Sequence, residues 1–219
     1  MNKNNTLVFI TLAISFILST LLKPYPFSWA VKMLPIFLLI AITWQHSKQL
    51  IVQQKPTSVR FFIFGLLLSS CGDFLLDYNQ QDWFIFGLAA FFIAHLCYLI
   101  SLKPFNNVYI ADKKPLILIT YIGFGVLMFM LFINGLGELF IPVLAYMVVL
   151  LLMALATVFS HRSNLWLVLG GISFVLSDSL IGFDKFNSAI VQNQLWVMAT
   201  YYFAQFALVK GYLMSLKKI

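Results

Sequence analysis

Two aspartates, Asp73 and Asp178, lie inside long apolar stretches of the chain and are its strongest candidates for chemistry. A charged side chain that faces lipid is costly, so an ionisable residue within a membrane span is a functional-site hypothesis by default. Two neighbouring carboxyl groups can divide the roles of acid and base, as they do in glycosidases around an oxocarbenium ion. We therefore predict that Asp73 and Asp178 form a catalytic pair. The alternative is that both carboxyl groups only hydrogen-bond to neighbouring helices.

The sequence around each aspartate favours a shared depth in a helical bundle. Residues 70–76 read SCGDFLL and residues 176–181 read LSDSLI, so a small residue, an aspartate and two aliphatic residues recur. Each aspartate lies about 20 Å from the predicted inner edge of its span, at 1.5 Å per residue. Small residues on the same helix faces indicate that these faces point into the bundle. The two carboxyl groups can therefore meet across the bundle axis.

Other polar side chains are predicted at similar depths in neighbouring spans. Lys32 is the intramembrane cation nearest in depth to the aspartates, so we expect it to be their buried partner. His95 and Tyr98 share one helix face, and so do Tyr201 and Gln205. Such groups bind a substrate head group or merely cross-link helices. The predicted substrate-binding residues are Lys32, His95, Tyr98, Tyr201, Tyr202, Gln205, Ser69 and Ser177.

The sequence predicts neither a metal site nor a cofactor. His95 is the only histidine within a predicted span, whereas a catalytic zinc usually takes three protein ligands rich in histidine. The sequence also lacks a Gly-rich phosphate loop, a nucleophile elbow and an HExxH motif. We therefore expect metal-independent chemistry by side chains alone.

The composition requires that these residues be carried by membrane-spanning helices. Of the 219 residues 62% are hydrophobic and 10% charged, and the mean hydropathy is +0.94. A soluble domain carries about 25% charged residues, so a water-soluble fold is excluded. A spanning helix needs about 20 mostly apolar residues. We predict an all-α polytopic bundle, one domain over residues 1–219, with eight spans at 6–22, 27–44, 58–76, 83–102, 115–133, 138–159, 165–183 and 193–214.

The charges between the spans predict the orientation. If the N-terminus is cytoplasmic, ten Lys and Arg residues fall inside and two, Lys23 and Lys185, fall outside. The positive-inside rule then places both termini in the cytoplasm, in a plasma or bacterial inner membrane. The excess of cations follows from the loops, so no nucleic-acid partner is expected. Four acidic residues near outer ends are predicted to be solvated loop residues, namely Asp77, Asp82, Glu138 and Asp184.

The two aspartate segments also hint at an internal repeat. Each lies in the third span of a half that contains four spans. An even number of spans per half predicts parallel repeats, related by an axis along the membrane normal.

Four segments carry a family resemblance. They are GDFLL at 72–76, AHLCY at 94–98, LSDSLI at 176–181 and YFAQ at 202–205. With these segments the chain resembles the YhhN family of eight-span membrane proteins. The resemblance implies a hydrolase that cleaves the sn-1 vinyl-ether bond of lysoplasmalogens. The implied products are a fatty aldehyde and glycerophosphocholine or glycerophosphoethanolamine, and the implied partners are a lysophospholipid substrate and membrane lipids.

The predicted residues suit that reaction. Protonation of the β-carbon of a vinyl ether gives an oxocarbenium ion, to which water adds before the hemiacetal collapses to aldehyde and alcohol. One carboxyl group serves as the acid, and the other carboxylate stabilises the cation and activates water. Lys32 can bias the position of the proton or pair with the lipid phosphate, and aromatic faces can hold a choline cation.

Two other functions stay open on the sequence alone. Parallel repeats with aspartates near the midplane also describe a small proton-coupled transporter. A lipid-binding protein without chemistry would use the aspartates as structural groups. A closed, lipid-sized cavity beside the carboxyl groups would favour the hydrolase.

Overall fold

The computed structural model describes residues 2–50, 56–79, 82–103 and 114–216. Within these ranges the chain forms eight α-helices and no strand, which confirms the all-α prediction. The helices are α1 (Lys3–Ser19), α2 (Ser28–Leu50), α3 (Pro56–Tyr78), α4 (Phe84–Ser101), α5 (Lys114–Phe132), α6 (Phe140–Phe159), α7 (Leu165–Phe186) and α8 (Asn193–Leu216).

Seven of the helices, α1 to α7, are long and apolar enough to cross a membrane. The eighth predicted segment is also a helix, and its 24 residues extend over about 36 Å. It is less apolar because it carries Tyr201, Tyr202 and Gln205, all of which are buried. A helix that faces protein on most sides needs less apolar surface than one that faces lipid.

Helix α8 lies at the centre of the packing and contacts α1, α2 and α7. Its closest neighbour is α7, and glycine makes this approach possible. A Cβ atom at Gly170 would lie 2.9 Å from the backbone nitrogen of Leu208, and one at Gly211 would lie 2.6 Å from that of Leu167. Small residues let two membrane helices approach backbone to backbone.

The contact of α3 with α4 is as extensive as that of α7 with α8. Glycines on α3 receive aromatic rings from α4. A Cβ atom at Gly65 would lie 2.5 Å from the Tyr98 ring, and one at Gly72 would lie 2.6 Å from the Phe91 ring. These two rings are therefore fixed against the face of α3 that carries Asp73.

Candidate functional site

The first group of polar side chains surrounds Asp73 on α3, which is only 2% exposed. Tyr201 Oη on α8 donates a hydrogen bond of 2.6 Å to Asp73 Oδ2. Lys32 Nζ on α2 lies 3.4 Å from Asp73 Oδ1. Tyr202 Oη donates to the carbonyl oxygen of Lys32 at 2.7 Å, which ties α8 to α2. The buried carboxylate is thus compensated by a cation and a hydroxyl donor, as a charge in a low-dielectric interior requires.

A chain of hydrogen bonds extends this group to α4. Gln205 Nε2 donates to Tyr201 Oη at 3.3 Å, and its Oε1 atom accepts a bond of 2.9 Å from Tyr98 Oη. Tyr98 Oη also lies 3.3 Å from Ser69 Oγ. Helices α2, α3, α4 and α8 therefore contribute to one network, which we call the Asp73 network. It contains seven of the predicted residues, namely Lys32, Ser69, Asp73, Tyr98, Tyr201, Tyr202 and Gln205.

The second group surrounds Asp178 on α7. Tyr146 Oη on α6 donates a short hydrogen bond to Asp178 Oδ2, and His95 Nε2 on α4 lies 3.3 Å from the same oxygen. The His95 and Tyr146 atoms are 3.0 Å apart, so the three side chains form a closed triangle. Among the described residues, His95 Nδ1 has no hydrogen-bond partner. This triangle, the Asp178 triad, holds the carboxyl group in one position.

The two groups adjoin each other around Phe174. Its ring packs edge-on against His95 with a centroid distance of 4.7 Å and against Tyr201 at 5.6 Å. Phe91 contacts both Phe174 and Tyr201. Each aspartate therefore has hydrogen-bond partners of its own, and aromatic rings connect the two sets.

Ser177 is the one predicted site residue that lies outside both groups. Its hydroxyl donates to the carbonyl oxygen of Val197 at 3.2 Å. This bond cross-links α7 to α8, next to the Asp178 triad.

Asp77 is a site residue that the sequence interpretation assigned wrongly. Instead of lying in a solvated loop, it belongs to α3, and its side chain is 1% exposed. Its two oxygens accept short hydrogen bonds from Lys23 and Ser28. Burial lowers the pKa of the Lys23 ammonium group, and the Asp77 carboxylate opposes that shift. The spacing of four residues from Asp73 was the available signal, because it places both carboxyl groups on one helix face.

Tyr146 is a second functional candidate that sequence reasoning missed. It is a lone tyrosine in the otherwise strongly apolar α6, and its hydroxyl reaches Asp178. A single phenol in such a helix needs a hydrogen-bond partner when it is buried, which was the signal available in the sequence.

An apolar cavity opens beside the Asp178 triad, with about 710 Å³ of empty space that includes its open side. The cavity lies between α4, α5, α6 and α7, and we call it the chain cavity. Asp178, Tyr146 and Ser179 are the polar residues in its lining, and the apolar lining includes Leu76, Leu88, Phe91, Phe124, Met128, Val143, Met147, Leu150, Val175 and Ile181.

A smaller and more polar pocket adjoins the chain cavity and holds about 410 Å³. Leu76 and Ile181 line both spaces, so the two meet at these side chains. We call the smaller space the polar pocket. Its lining combines Lys32, Asp77, Asn193 and Gln194 with Phe16, Val197 and Met198.

In the ranges that the structure describes, no group of three or more His, Cys, Asp or Glu side chains could hold a metal ion. The expected metal independence of the chemistry stays a prediction.

Comparison with known proteins identifies a family but no related solved structure. The sequence model of the YhhN family matches residues 27–212. A lysoplasmalogenase from Mycobacterium bovis is 31% identical over 147 residues, which cover 64% of this chain and 56% of that protein. Lysoplasmalogenase TMEM86A from Homo sapiens is 26% identical over 187 residues, which cover 81% of this chain and 76% of that protein. Lysoplasmalogenase TMEM86B from Mus musculus is 28% identical over 187 residues, which cover 83% of this chain and 75% of that protein.

The match therefore spans a little over half the length of the mycobacterial relative. No solved structure matches the chain. The matched range 27–212 contains the Asp73 network, the Asp178 triad and all the residues that line the two cavities except Phe16. With most of its length matched by the family model, the chain belongs to the YhhN family.

Proposed function

We propose that this protein is a membrane-embedded hydrolase that cleaves the sn-1 vinyl-ether bond of lysoplasmalogens. The products are a fatty aldehyde and glycerophosphocholine or glycerophosphoethanolamine. The observation that carries the proposal is the carboxyl group of Asp178, which lines an apolar cavity together with Tyr146. Relatives named lysoplasmalogenase supply the substrate class.

The two adjoining spaces suit the two parts of a lysophospholipid. The alkenyl chain occupies the chain cavity, where its apolar surface is buried away from water. The head group occupies the polar pocket, where the ammonium group of Lys32 attracts the phosphate. The vinyl ether joins these parts of the substrate, so it lies near Leu76 and Ile181, where the spaces meet.

In the proposed mechanism Asp73 and Asp178 act as an acid–base pair. One carboxyl group transfers its proton to the β-carbon of the vinyl ether, and the other stabilises the oxocarbenium ion and takes a proton from the attacking water. The resulting hemiacetal collapses to the aldehyde and the free sn-1 hydroxyl group. Asp178 reaches the substrate from the cavity wall, and Asp73 is connected to the polar pocket through Lys32. Tyr146 and His95 are positioning residues for Asp178.

We also propose that all eight helices cross a plasma membrane or a bacterial inner membrane, and that both termini lie in the cytoplasm. The distribution of Lys and Arg supports this orientation. The two most extensive helix contacts, α3 with α4 and α7 with α8, occupy equivalent places in the two halves of the chain. This equivalence supports the proposed parallel repeat.

The test is release of fatty aldehyde by the purified protein. A lysoplasmalogen is compared with the ester-linked lysophospholipid of the same chain length and head group. We expect aldehyde from the vinyl ether and no cleavage of the ester. D73N and D178N are expected to remain folded and to lose aldehyde release.

The matched control is D82N, because Asp82 is exposed and, within the part of the chain that the structure describes, bonds with nearby Asn79. It makes the same change of charge outside the proposed site and should keep wild-type activity. Full activity in D178N would refute the acid–base mechanism. Absence of aldehyde release by the folded wild-type protein would refute the proposed function.

A further inference from the structure

A third apolar space lies between α5 and α7, with about 570 Å³ of empty space that includes its open side. We call it the α5–α7 groove. Phe124 and Val175 line both the groove and the chain cavity, so the two spaces adjoin at these residues. The remaining lining residues are Thr120, Tyr121, Ile172 and Leu176.

The outer side of the groove is open to the surroundings of the bundle. Ile172 is 43% exposed and Leu176 is 46% exposed, although both are large aliphatic residues. They lie four residues apart on α7 and therefore form one continuous stripe. In a membrane such a stripe faces hydrocarbon, so the groove faces lipid on one side and adjoins the chain cavity on the other.

Helix α5 is the more weakly held of the two walls. Only 11% of its apolar stretch is buried, the lowest fraction among the seven apolar helices. Its helix neighbours are α6 and α7, and it makes no extensive contact with the central α8. A helix with few buried contacts can separate from its neighbours at a small free-energy cost.

We propose that the α5–α7 groove is the lateral portal through which the hydrocarbon chain of a lysophospholipid enters the chain cavity from the bilayer. The inference rests on the proposed function for the identity of the ligand. Moving a long chain through water is unfavourable for every methylene group, and this path keeps the chain in an apolar medium throughout. The groove is bounded by apolar side chains at its mouth and ends at the cavity that contains Asp178.

The kinetic test fills the mouth of the groove. I172W and L176W place an indole at the portal, and neither residue lines the chain cavity. The matched control is L169W, because Leu169 is a lipid-facing residue of α7 that is 36% exposed and lies outside the groove. Each variant is assayed with a long-chain lysoplasmalogen in liposomes and with a short-chain, water-soluble vinyl-ether analogue.

We expect I172W and L176W to lose at least about tenfold in kcat/KM for the long-chain substrate in liposomes, which corresponds to about 1.4 kcal/mol. The short-chain analogue should be cleaved within about twofold of the wild-type rate, and L169W should behave as wild type with both substrates. An equal loss with both substrates, or no loss with the long-chain substrate, would overturn the portal.

A second measurement does not depend on hydrolysis. A non-cleavable alkyl-ether lysophospholipid with a diazirine at the chain end is added to the wild-type protein in liposomes and photolysed. We expect labelled residues at Tyr121, Ile172 and Leu176, and weaker labelling of α5 in L176W. Labelling of the groove without aldehyde release would support the proposed portal and refute the proposed hydrolase activity. Absence of label from the groove would refute the portal.

Discussion

The hydrogen bond from Tyr146 to Asp178 gives the sharpest single test of the site. The substitution Y146F removes the phenolic oxygen and leaves the ring in place against His95. Asp178 Oδ2 then retains only His95 Nε2 at 3.3 Å among the contacts described for it. Because the carboxyl group loses the donor that orients it, we expect the proton transfer that Asp178 takes part in under the proposed mechanism to become slower.

The size of the effect follows from the kind of bond that is lost. A hydrogen bond to a charged group contributes about 1.5–3 kcal/mol. If this contribution is expressed in the transition state, kcat falls about 10- to 150-fold, since about 1.4 kcal/mol corresponds to a factor of ten. KM should change little, because the cavity that receives the chain keeps its shape.

A purely structural role for Tyr146 would give a different pattern. The control is Y212F, which removes a buried phenol that donates to Ser58 Oγ at 3.0 Å and lies outside both groups of the site. Y146F and Y212F should lower the melting temperature by similar amounts, but only Y146F should lower kcat. Equal kcat values for Y146F and the wild type would contradict the assignment of Tyr146 as a positioning residue.

Three further predictions test the packing and the reaction. K32M leaves Asp73 without its cation and should destabilise the protein by about 3–5 kcal/mol in detergent unfolding. The double variant K32M/D73N should recover most of this loss. No recovery would contradict an energetic coupling between Lys32 and Asp73. G72A should destabilise the protein because its Cβ atom would lie 2.6 Å from the Phe91 ring. In G123A the Cβ atom would meet no described atom within 4 Å beyond its own stretch of helix, so this variant should gain up to about 1 kcal/mol of helix stability. Equal melting temperatures would argue against close α3–α4 packing. Hydrolysis in D₂O should place one deuterium on carbon 2 of the aldehyde, as mass spectrometry can measure, and unlabelled aldehyde would exclude protonation at the β-carbon.

Hydropathy predicts the helices of this protein because lipid imposes a simple rule on them. A helix that faces hydrocarbon must be apolar along its length, so α1 to α7 stand out in the sequence. The rule weakens for α8, which meets other helices on most of its surface and carries Tyr201 and Gln205 inside the bundle. Its helical state was predicted correctly, but its central place was not, because hydropathy does not say which helices are neighbours.

The same distinction explains which parts of the site could be predicted. The depth of Lys32 along α2 predicted a buried aspartate partner, and Lys32 lies 3.4 Å from Asp73. Depth could not predict the partners of Asp178, because Tyr146 and His95 reach it only through the particular packing of α4 and α6 against α7. Side-chain partners across helices depend on crossing geometry, which the hydropathy and the residue spacing of a sequence do not show.

The sequence echo between the two aspartate segments gains a physical meaning from the cavities. Leu76 lies three residues after Asp73, and Ile181 lies three residues after Asp178. Residues three apart share a helix face, so each segment presents an acid and an aliphatic side chain to the same side of its helix. Leu76 and Ile181 both line the chain cavity and the polar pocket, although they come from helices more than 100 residues apart in sequence. The two segments thus adjoin at the boundary between the two spaces, where Asp178 lines the chain cavity and Asp73 reaches the polar pocket only through Lys32. Under the proposed function, this boundary is where the apolar chain of the substrate would meet its polar head group.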